Sequence, residues 1–495
     1  MTRVAVIGAG FGGLALAVRL QSAGLDVTLI EARDKPGGRA YVWRDQGFTF
    51  DAGPTVITDP ACLEELFALS GRRMSDYAQL VPVSPFYRLL WPDGAQFDYV
   101  NDQAELDRQI AARNPADVEG YRRFLAFSEA VYDEGYKRLG HAPFLKVTDM
   151  LAAAPQLIGL QAWRSVYAKV AACVRDDKLR QALSFHTLLV GGSPFAASSI
   201  YALIHALERD GGVWFAMGGT NALVSGLARL FADLGGRLVT SDAVRRIETA
   251  GGRVTGVVHA DGRFETFDAV ASNADVVHTY ATLLGDDARG RAVGRSLKRR
   301  RFSPSLFVLH FGLKRAHPEL AHHTIVFGPR YRGLIDQIYK GPALADDFSL
   351  YLHAPCVTDP SLAPDGCSTY YALSPVPHLG AAPVDWDAEG PAYAARMLEA
   401  LEARVIPGLR EDLVVQRLFT PKDFERELNA WQGSAFSLEP VLTQSAWFRT
   451  HNRDDAIPNL YFVGAGTHPG AGVPGVIGSA KATAGLMITD LKASR

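Results

Sequence analysis

A glycine-rich turn near the start of the chain has the residue types and spacing of a phosphate-binding loop. Gly8, Gly10 and Gly13 follow the apolar run of residues 4–7 in the pattern G-x-G-x-x-G, and an apolar helical segment comes next. In this pattern the first glycine allows a tight turn, the second lets a pyrophosphate approach the backbone, and the third lets helix and strand pack closely. The pattern predicts an adenine dinucleotide, with a purely structural turn as the alternative, and the expected contacts are Gly8, Gly10, Phe11, Gly12 and Gly13.

The residues after the second predicted strand decide which dinucleotide is expected. Glu31 ends that strand, where a carboxylate can accept hydrogen bonds from the ribose hydroxyls, and Ala32 follows it. The chain then enters a second glycine loop with Gly38 and Arg39, which an NAD domain does not need. FAD is longer, and an arginine here can neutralise pyrophosphate charge, so the pattern favours FAD. A further close approach of the backbone is predicted at Gly53, Pro54 and Thr55.

A third glycine-rich stretch, GAGTHPGAGVPGVIGSAKA, begins at Gly464 after the last predicted strand. Ligands bind at the carboxyl ends of parallel strands, so this stretch is expected to hold the flavin end of FAD. The start of a helix near Gly475 places backbone amides and the positive end of the helix dipole beside the ligand. We also expect Gly478, Ala482 and Gly485 to form a close packing face on that helix. The predicted contacts here and in the middle of the chain are Val244, Gly466, Thr467, Gly475 and Val476.

A domain built from discontinuous parts of the chain must bring these segments together. The predicted fold class is α/β. The helix that follows Gly219 has apolar residues at Leu223, Leu227 and Leu230, the period of a helix that packs on a sheet. We predict a Rossmann-like FAD-binding domain of the GR2 type, a mixed-sheet substrate domain, and a helical insertion with a candidate membrane-contacting face. Their predicted boundaries are 1–75, 218–285 and 455–495 for the first, 76–100 and 286–454 for the second, and 101–217 for the third.

Composition narrows the class of protein. The 495 residues carry 51 Lys and Arg against 53 Asp and Glu, which argues against a nucleic-acid-binding protein. The four cysteines are scattered, so we expect a reducing compartment, no disulfide and no metal site. We find neither a secretory signal nor a run of ~18–20 apolar residues long enough to span a membrane. The expected location is the cytoplasm.

Longer segments make a family resemblance specific. They are GGRAYVWRDQGFTFDAGPTVITDP, SFHTLLVGGSPF, SSIYALIHALE, SLYLHAPCVTDPSLAPDG and the C-terminal glycine stretch. In these segments, which extend over nearly the whole chain, the sequence resembles the bacterial-type phytoene desaturases of the flavin amine oxidase superfamily. The resemblance implies non-covalent FAD and a hydrophobic C40 polyene substrate. It implies stepwise dehydrogenation of phytoene to lycopene, by hydride transfer to flavin N5 and loss of a proton. It also implies an acceptor such as oxygen or a quinone, and peripheral association with the inner face of the cell membrane.

The resemblance leaves other functions open. A carotenoid isomerase or another polyene-modifying flavoenzyme would use the same FAD site, an amine oxidase would need an aromatic cage, and Rab GDP-dissociation inhibitors carry prenyl chains on this fold without chemistry. The complete predicted FAD path argues against a non-enzymatic carrier. One position departs from the superfamily, because Gly466 stands about where many members have an Asp that binds a ribityl hydroxyl.

Candidate residues outside the glycine loops each have a structural alternative. Asp149, just before an apolar helix, is the candidate proton acceptor, and the alternative is a helix cap. His468 lies in the glycine stretch as a candidate acid–base group or a loop residue that binds backbone. Phe185, His186 and His353 are candidate tunnel residues. One predicted helical face would be either membrane-bound or part of the core, and it consists of Trp163, Val166, Tyr167, Val170 and Val174.

Overall fold

The computed structural model describes residues 2–493. These residues form nineteen β-strands. In chain order they are β1 (Arg3–Ile7), β2 (Asp26–Ile30), β3 (Val42–Asp45), β4 (Phe48–Asp51), β5 (Leu80–Pro82), β6 (Tyr87–Leu90), β7 (Gln96–Tyr99), β8 (Trp214–Ala216), β9 (Arg237–Val239), β10 (Val244–Ala250), β11 (Arg253–His259), β12 (Phe264–Thr266), β13 (Ala269–Ser272), β14 (Ser305–Leu313), β15 (His323–Val326), β16 (Leu350–His353), β17 (Ser368–Val376), β18 (Leu413–Phe419) and β19 (Leu460–Phe462).

The same residues form sixteen α-helices. They are α1 (Phe11–Ser22), α2 (Pro60–Ala68), α3 (Gln103–Arg113), α4 (Asp117–Tyr132), α5 (Val147–Gly159), α6 (Val166–Ala171), α7 (Asp177–Ser184), α8 (Leu203–Gly211), α9 (Thr220–Asp233), α10 (Val276–His278), α11 (Ala288–Leu297), α12 (Tyr331–Lys340), α13 (Trp386–Arg404), α14 (Leu409–Asp412), α15 (Pro421–Leu428) and α16 (Val473–Ala493).

A five-stranded parallel sheet organises the nucleotide half of the molecule. Its order is β19-β13-β1-β2-β9, so strands from the start, middle and end of the chain lie side by side. Helices α1, α9 and α16 pack together on one face, where Val4 and Val6 of β1 meet Leu14, Leu227 and other fully buried side chains. The carboxyl ends of all five strands therefore point to one edge, where a ligand can bind.

A small antiparallel sheet, β10-β11-β12, covers the other face of the parallel sheet. The alternating pattern over residues 264–270 is typical of one strand, but the structure divides it between β12 and β13. The reason is tertiary, because β12 pairs antiparallel with β11 whereas β13 pairs parallel with β1. Val270 packs in the buried layer between these two sheets.

The second large sheet is mixed and has seven strands in the order β18-β14-β17-β16-β15-β6-β7. Only β15 and β6 pair in parallel within it. Strand β14, which lies between β18 and β17, is buried along its whole length, as expected of a strand that has packed layers on both faces. The sheet carries a row of Tyr and His side chains toward the helical region, among them Tyr87, His323 and Tyr351.

The helical region between α3 and α8 differs from its sequence-based interpretation in one respect. Val166, Val170 and Val174 are at most 2% exposed, so the face that could have met a membrane is part of the core. Tyr167 of the same face is half-buried, and Trp163, which precedes α6, is 62% exposed. The neighbouring α5 is instead the exposed apolar helix, with Leu151 at 64% exposure. No helix of the described residues is long and apolar enough to cross a membrane.

Candidate cofactor and substrate site

One continuous cavity of about 580 Å³ joins the edge of the parallel sheet to the space between the seven-stranded sheet and the helical region. Gly10 and Glu31 line one end, and Thr55 and Gly475 line the middle. The side chains beyond them are mostly aliphatic and aromatic. The lining of that part includes Phe185, Leu188, Leu207, Ile325, Phe327, Tyr331 and Ile335. The cavity thus has a part lined by the glycine loops and polar side chains and a part lined by apolar side chains.

The first glycine loop has the geometry of a cradle for phosphate. Gly8 has φ +93°, which favours glycine. A Cβ on Gly12 would lie 2.7 Å from Asn273 Oδ1, and a Cβ on Gly13 would lie 1.9 Å from the carbonyl oxygen of Gly8. Gly13 is therefore a packing residue that lies outside the cavity wall, whereas the other four predicted contacts of the loop line it. No side chain caps the N-terminus of α1 at Gly10, so its amides are available to an anion.

Glu31 and Arg39 provide the charges at this end of the cavity. Glu31 accepts hydrogen bonds from the amides of Ala9 at 2.7 Å and Arg33 at 3.0 Å, which leaves lone pairs on both oxygens. Arg39 Nε donates to the Ala435 carbonyl at 2.7 Å. Within the described residues no carboxylate forms an ion pair with Arg39, and burial lowers the pKa of its guanidinium. A half-buried cation that forms no ion pair, with the Asp275 carboxyl as its charged neighbour, fits a pyrophosphate, and these residues therefore fit FAD.

The segment around Thr55 connects the cavity to both sheets. Thr55 Oγ1 lies 2.5 Å from the Tyr351 hydroxyl, which lies 2.8 Å from His323 Nδ1. Asp51 accepts the amide of Thr220 at 2.8 Å and so holds the N-terminus of α9. Burial raises the pKa of Asp51 to about 6, although its bonds to backbone amides lower it.

The C-terminal glycine stretch contributes to the cavity, but not through all of the predicted residues. Gly475 and Val476 line it at the first turn of α16. Gly466 and Thr467, which the sequence also predicted as contacts, do not line it. A Cβ on Gly466 would lie 2.6 Å from Val276 Cγ1, so this position packs against α10. The Thr467 hydroxyl donates to the Thr450 carbonyl at 2.5 Å and is used within the protein.

Asp275 lies beside this packing contact and lines the same cavity. Its Oδ1 accepts the amides of Val277 and His278 at 2.9 and 3.2 Å, which caps α10. Its Oδ2 is buried and has no hydrogen-bond partner. Burial raises the pKa of this carboxyl, while Arg39 lowers it. Asp275 therefore offers an unused carboxylate oxygen near the place where Gly466 has no side chain.

The two acid–base candidates from the sequence have structural partners. Asp149 Oδ2 accepts the amides of Lys146 at 2.9 Å and Leu145 at 3.2 Å, the capping alternative. It lies outside the cavity wall, whereas its neighbour Met150 lines it. His468 Nε2 is 3.0 Å from the Leu139 carbonyl, and burial lowers the pKa of this imidazole to about 4. His468 is therefore a neutral loop residue in the wall at pH 7.

A buried carboxylate lies in the wall of the apolar part. Glu208 of α8 is fully buried, and its Oε1 accepts a hydrogen bond from the Tyr87 hydroxyl at 2.7 Å. His186 Nε2 lies 3.0 Å from Oε2, but neither of these two atoms has an aligned hydrogen-bond partner. Burial and the nearby Glu208 raise the pKa of Tyr87 well above its usual value, so the phenol remains a donor.

Three buried histidines form a separate cluster. The ligand nitrogens of His322, His323 and His353 lie within 4.8 Å of one another. His353 Nε2 lies 3.0 Å from His322 Nε2, and burial lowers the pKa of all three imidazoles. The cluster therefore consists of neutral rings, and His353 belongs to it rather than to the cavity wall.

Sequence reasoning missed Glu208 and Asp275, although both left a signal. Glu208 stands four residues after Ile204 on an otherwise apolar stripe of α8, an unusual place for a charge. Asp275 follows a buried strand at the edge where Glu31 follows another, so the same rule applies to both. Neither sequence pattern tells which cavity the side chain meets.

Comparisons with known proteins show the family and the fold of the chain. A model of the family of flavin-containing amine oxidoreductases matches residues 11–488. The lycopene-forming phytoene desaturase of Pseudescherichia vulneris is 64% identical over 492 residues, 99% of this chain and 100% of that protein. The one from a Paracoccus species is 65% identical over 486 residues, 98% of this chain and 97% of that protein. Cyclohexylamine oxidase from Brevibacterium oxydans has a similar fold, with a TM-score of 0.65, 17% identity and 99% of each chain covered.

Proposed function

Because the chain belongs to the flavin-containing amine oxidoreductases and, within them, to the phytoene desaturases, we propose that it is an FAD-dependent enzyme that dehydrogenates phytoene to lycopene. The observation that carries this conclusion is the 64–65% identity to lycopene-forming enzymes along nearly the whole chain. The cavity fits such a function because its polar end suits a dinucleotide and its apolar end suits a hydrocarbon.

Within this function, the cavity suggests how FAD is held. We assign the adenosine to Glu31 and Val244 and the pyrophosphate to Arg39 and the amides of the first glycine loop. The flavin end belongs beside Thr55 and the start of α16. Asp275 Oδ2 supplies the carboxylate that binds a ribityl hydroxyl. In other superfamily members this carboxylate comes from the position that Gly466 occupies here. The remaining assigned contacts line the same wall and are Gly8, Gly10, Phe11, Gly12, Ala32, Gly38, Gly53, Pro54 and Val476.

FAD, when bound, supplies a hydride acceptor for an unactivated carbon chain. The chain's own residues have to bind that hydrocarbon, orient it and exclude water. Phytoene has no hydrogen-bonding group, so the apolar wall holds it by buried area, at roughly 25 cal/mol per Å². Aromatic side chains such as Phe185, Phe327 and Tyr331 restrict its position in the cavity.

We further propose that α5 docks on the membrane from which phytoene is taken. Leu151 and Ile158 are 64% and 61% exposed on its outer face, and Trp163 just beyond it is 62% exposed. Its inner residues Met150 and Leu157 line the cavity. Between Lys146 and Arg164 the only charged residue is Asp149. An apolar face with cations at both ends suits an interfacial helix at the mouth of a hydrophobic cavity.

Flotation with liposomes tests this surface. Leu151→Glu with Ile158→Glu should abolish co-flotation, because each charge has to leave the hydrocarbon boundary. Phe264→Glu is the matched control, since Phe264 is 49% exposed on β12, in the small sheet of the nucleotide half. Co-flotation of the double variant at the wild-type level would refute docking through α5.

The reaction itself is tested with phytoene in liposomes, purified protein and FAD, followed by chromatography and absorbance of the products. We expect lycopene as the product. If lycopene forms under argon only when a quinone is added, the electron acceptor is a quinone. Formation only in air identifies oxygen. Isomerised phytoene without new double bonds would instead support the isomerase alternative. A protein that binds phytoene but no flavin would support a carrier.

A further inference from the structure

Glu208 is the carboxylate that the structure places in the apolar wall. Its helix α8 also contributes Ile204 and Leu207 to the same lining. A series of contacts leads from Glu208 to the flavin end of the cavity. The Tyr87 hydroxyl binds Glu208, the Tyr87 ring lies 5.9 Å from the His323 ring, and His323 is hydrogen-bonded to Tyr351. Tyr351 in turn contacts Thr55, so Glu208 and the flavin segment are parts of one packed unit.

Glu208 Oε2 is buried in the wall, where it has no hydrogen-bond partner among the described residues and lies 3.0 Å from His186 Nε2. Within the described residues neither Lys nor Arg forms an ion pair with this carboxylate. His186 is the nearest cationic candidate, yet its Nε2 is not aligned with Oε2. His205 on the same helix packs against Tyr99 and Tyr121, and burial lowers the pKa of its imidazole well below the usual value. One oxygen of Glu208 is thus held by a phenol, and the other has no hydrogen bond.

A carboxylate in this position is costly and needs an explanation. Burying an ionised group without full hydrogen bonding destabilises a fold by several kcal/mol, and a hydrocarbon substrate offers it no polar partner. An apolar side chain of similar volume would fill the wall of a pure binding tunnel better. Carboxylates retained at such places are often proton donors or acceptors.

We propose that Glu208 is the base that accepts the proton released in each desaturation step. The inference rests on the proposed function, because that reaction removes one hydride and one proton from adjacent carbons. One substrate carbon loses its hydrogen with both bonding electrons, as hydride to FAD. The C–H bond on the neighbouring carbon then breaks, its electron pair forms the new C=C bond, and an O–H bond forms on Glu208 Oε2. The substrate loses two electrons, and the proton rests on the glutamic acid.

The roles around this base follow from the geometry. Tyr87 holds Oε1 and so directs Oε2, which makes Tyr87 a positioning residue. His186 lies 3.0 Å from Oε2 and is placed to receive the proton when the enzyme resets. Asp149, the candidate proton acceptor from the sequence, is bound to backbone amides outside the wall.

Glu208→Gln is the main variant, because it keeps the shape of the side chain and an oxygen for the Tyr87 hydroxyl. We expect normal FAD content and melting temperature with a fall of about 10²–10⁴-fold in turnover, the usual contribution of a general base. Asp149→Asn is the matched control, since it also neutralises a carboxylate of the helical region, and it should retain wild-type turnover. Tyr87→Phe should lower turnover much less than Glu208→Gln, whereas equal losses would mean that Glu208 only anchors Tyr87.

A second measurement follows the proton directly. Infrared difference spectra of anaerobic, FAD-loaded wild-type enzyme should gain the C=O band of a protonated carboxylic acid when phytoene is added. The band should be absent from Glu208→Gln. If that variant does not fold, a wild-type spectrum that lacks the band while double bonds form overturns the proposal. Wild-type turnover in a folded Glu208→Gln enzyme overturns it too. Failure of the wild-type enzyme to desaturate phytoene would instead refute the proposed function.

Discussion

The packing of Gly466 against Val276 gives a prediction that can be worked out from the structure. A Cβ at position 466 would lie 2.6 Å from Val276 Cγ1, whereas ordinary contact begins at 3.4 Å. Val276 is 3% exposed and β-branched, so it cannot simply rotate away. Overpacking of this kind usually costs about 1–3 kcal/mol, and we expect Gly466→Ala to lose that much free energy of unfolding.

The clash should be relieved by shortening its partner. Val276→Ala removes both methyl groups and by itself should cost about 2 kcal/mol, from lost burial and a small cavity. In the double variant the new methyl group fills part of that cavity, and the nearest remaining atom is Ser437 Oγ at 3.2 Å. We therefore expect the double variant to lose less free energy of unfolding than the two single variants lose in sum, by at least about 1 kcal/mol.

The assay is a double-mutant cycle by urea unfolding, with FAD affinity measured by quenching of flavin fluorescence. FAD affinity should fall in Gly466→Ala, because displaced Val276 moves its neighbour Asp275 in the cavity wall, and should recover in the double variant. Additive losses in stability would refute the packing argument. A recovery of stability without a recovery of FAD affinity would refute the place assigned to Asp275.

Three further predictions concern single sites. Gly13→Ala should lose FAD binding and about 3 kcal/mol or more of stability, because its Cβ would lie 1.9 Å from a backbone oxygen. Gly485→Ala has open space around the new methyl group and should stabilise α16 by about 0.5–1 kcal/mol. Urea unfolding measures the change in stability of both variants. Asp51 is protonated more readily in the folded protein, at a pKa of about 6 instead of 3.8, so its contribution to the free energy of unfolding falls by about 2 kcal/mol as the pH rises from 4 to 6. Asp51→Asn should remove this part of the pH dependence in urea titrations, and parallel curves for both proteins would contradict it. Asp149→Ala should cost about 1 kcal/mol as a lost cap and leave turnover unchanged, so loss of turnover at normal flavin content would return Asp149 to the mechanism.

The parallel sheet and its first glycine loop could be predicted because their causes are local. Apolar runs of the right length and the spacing from Gly8 to Gly13 each demand one backbone conformation. The carboxylate of Glu31 marks the end of a strand in the same way. These patterns depend on neighbours in the chain, so the sequence alone predicted the discontinuous nucleotide fold, and the family resemblance added FAD and the substrate class.

Contacts between distant segments were not readable in this way. Gly485 was expected to pack closely, yet it faces open space, whereas a Cβ on Gly478 would lie 2.9 Å from the carbonyl oxygen of Gly140. The helical face that ends at Val174 was compatible with both membrane and core, with the core favoured, and only the placement of α6 decided for the core. The same placement left α5 as the exposed apolar helix.

The residues of the candidate site show the same difference between local patterns and distant contacts. The sequence by itself predicted which residues would bind phosphate, because amides of a glycine loop and the end of a helix act over a few residues. It could not assign the carboxylates, since Asp149, Asp275 and Glu208 all stand next to apolar helices. Only the tertiary structure showed that Asp149 caps its own helix and that the other two meet the cavity. The physical reason is that the function of a carboxylate depends on which donors surround it, and those donors come from distant parts of the chain.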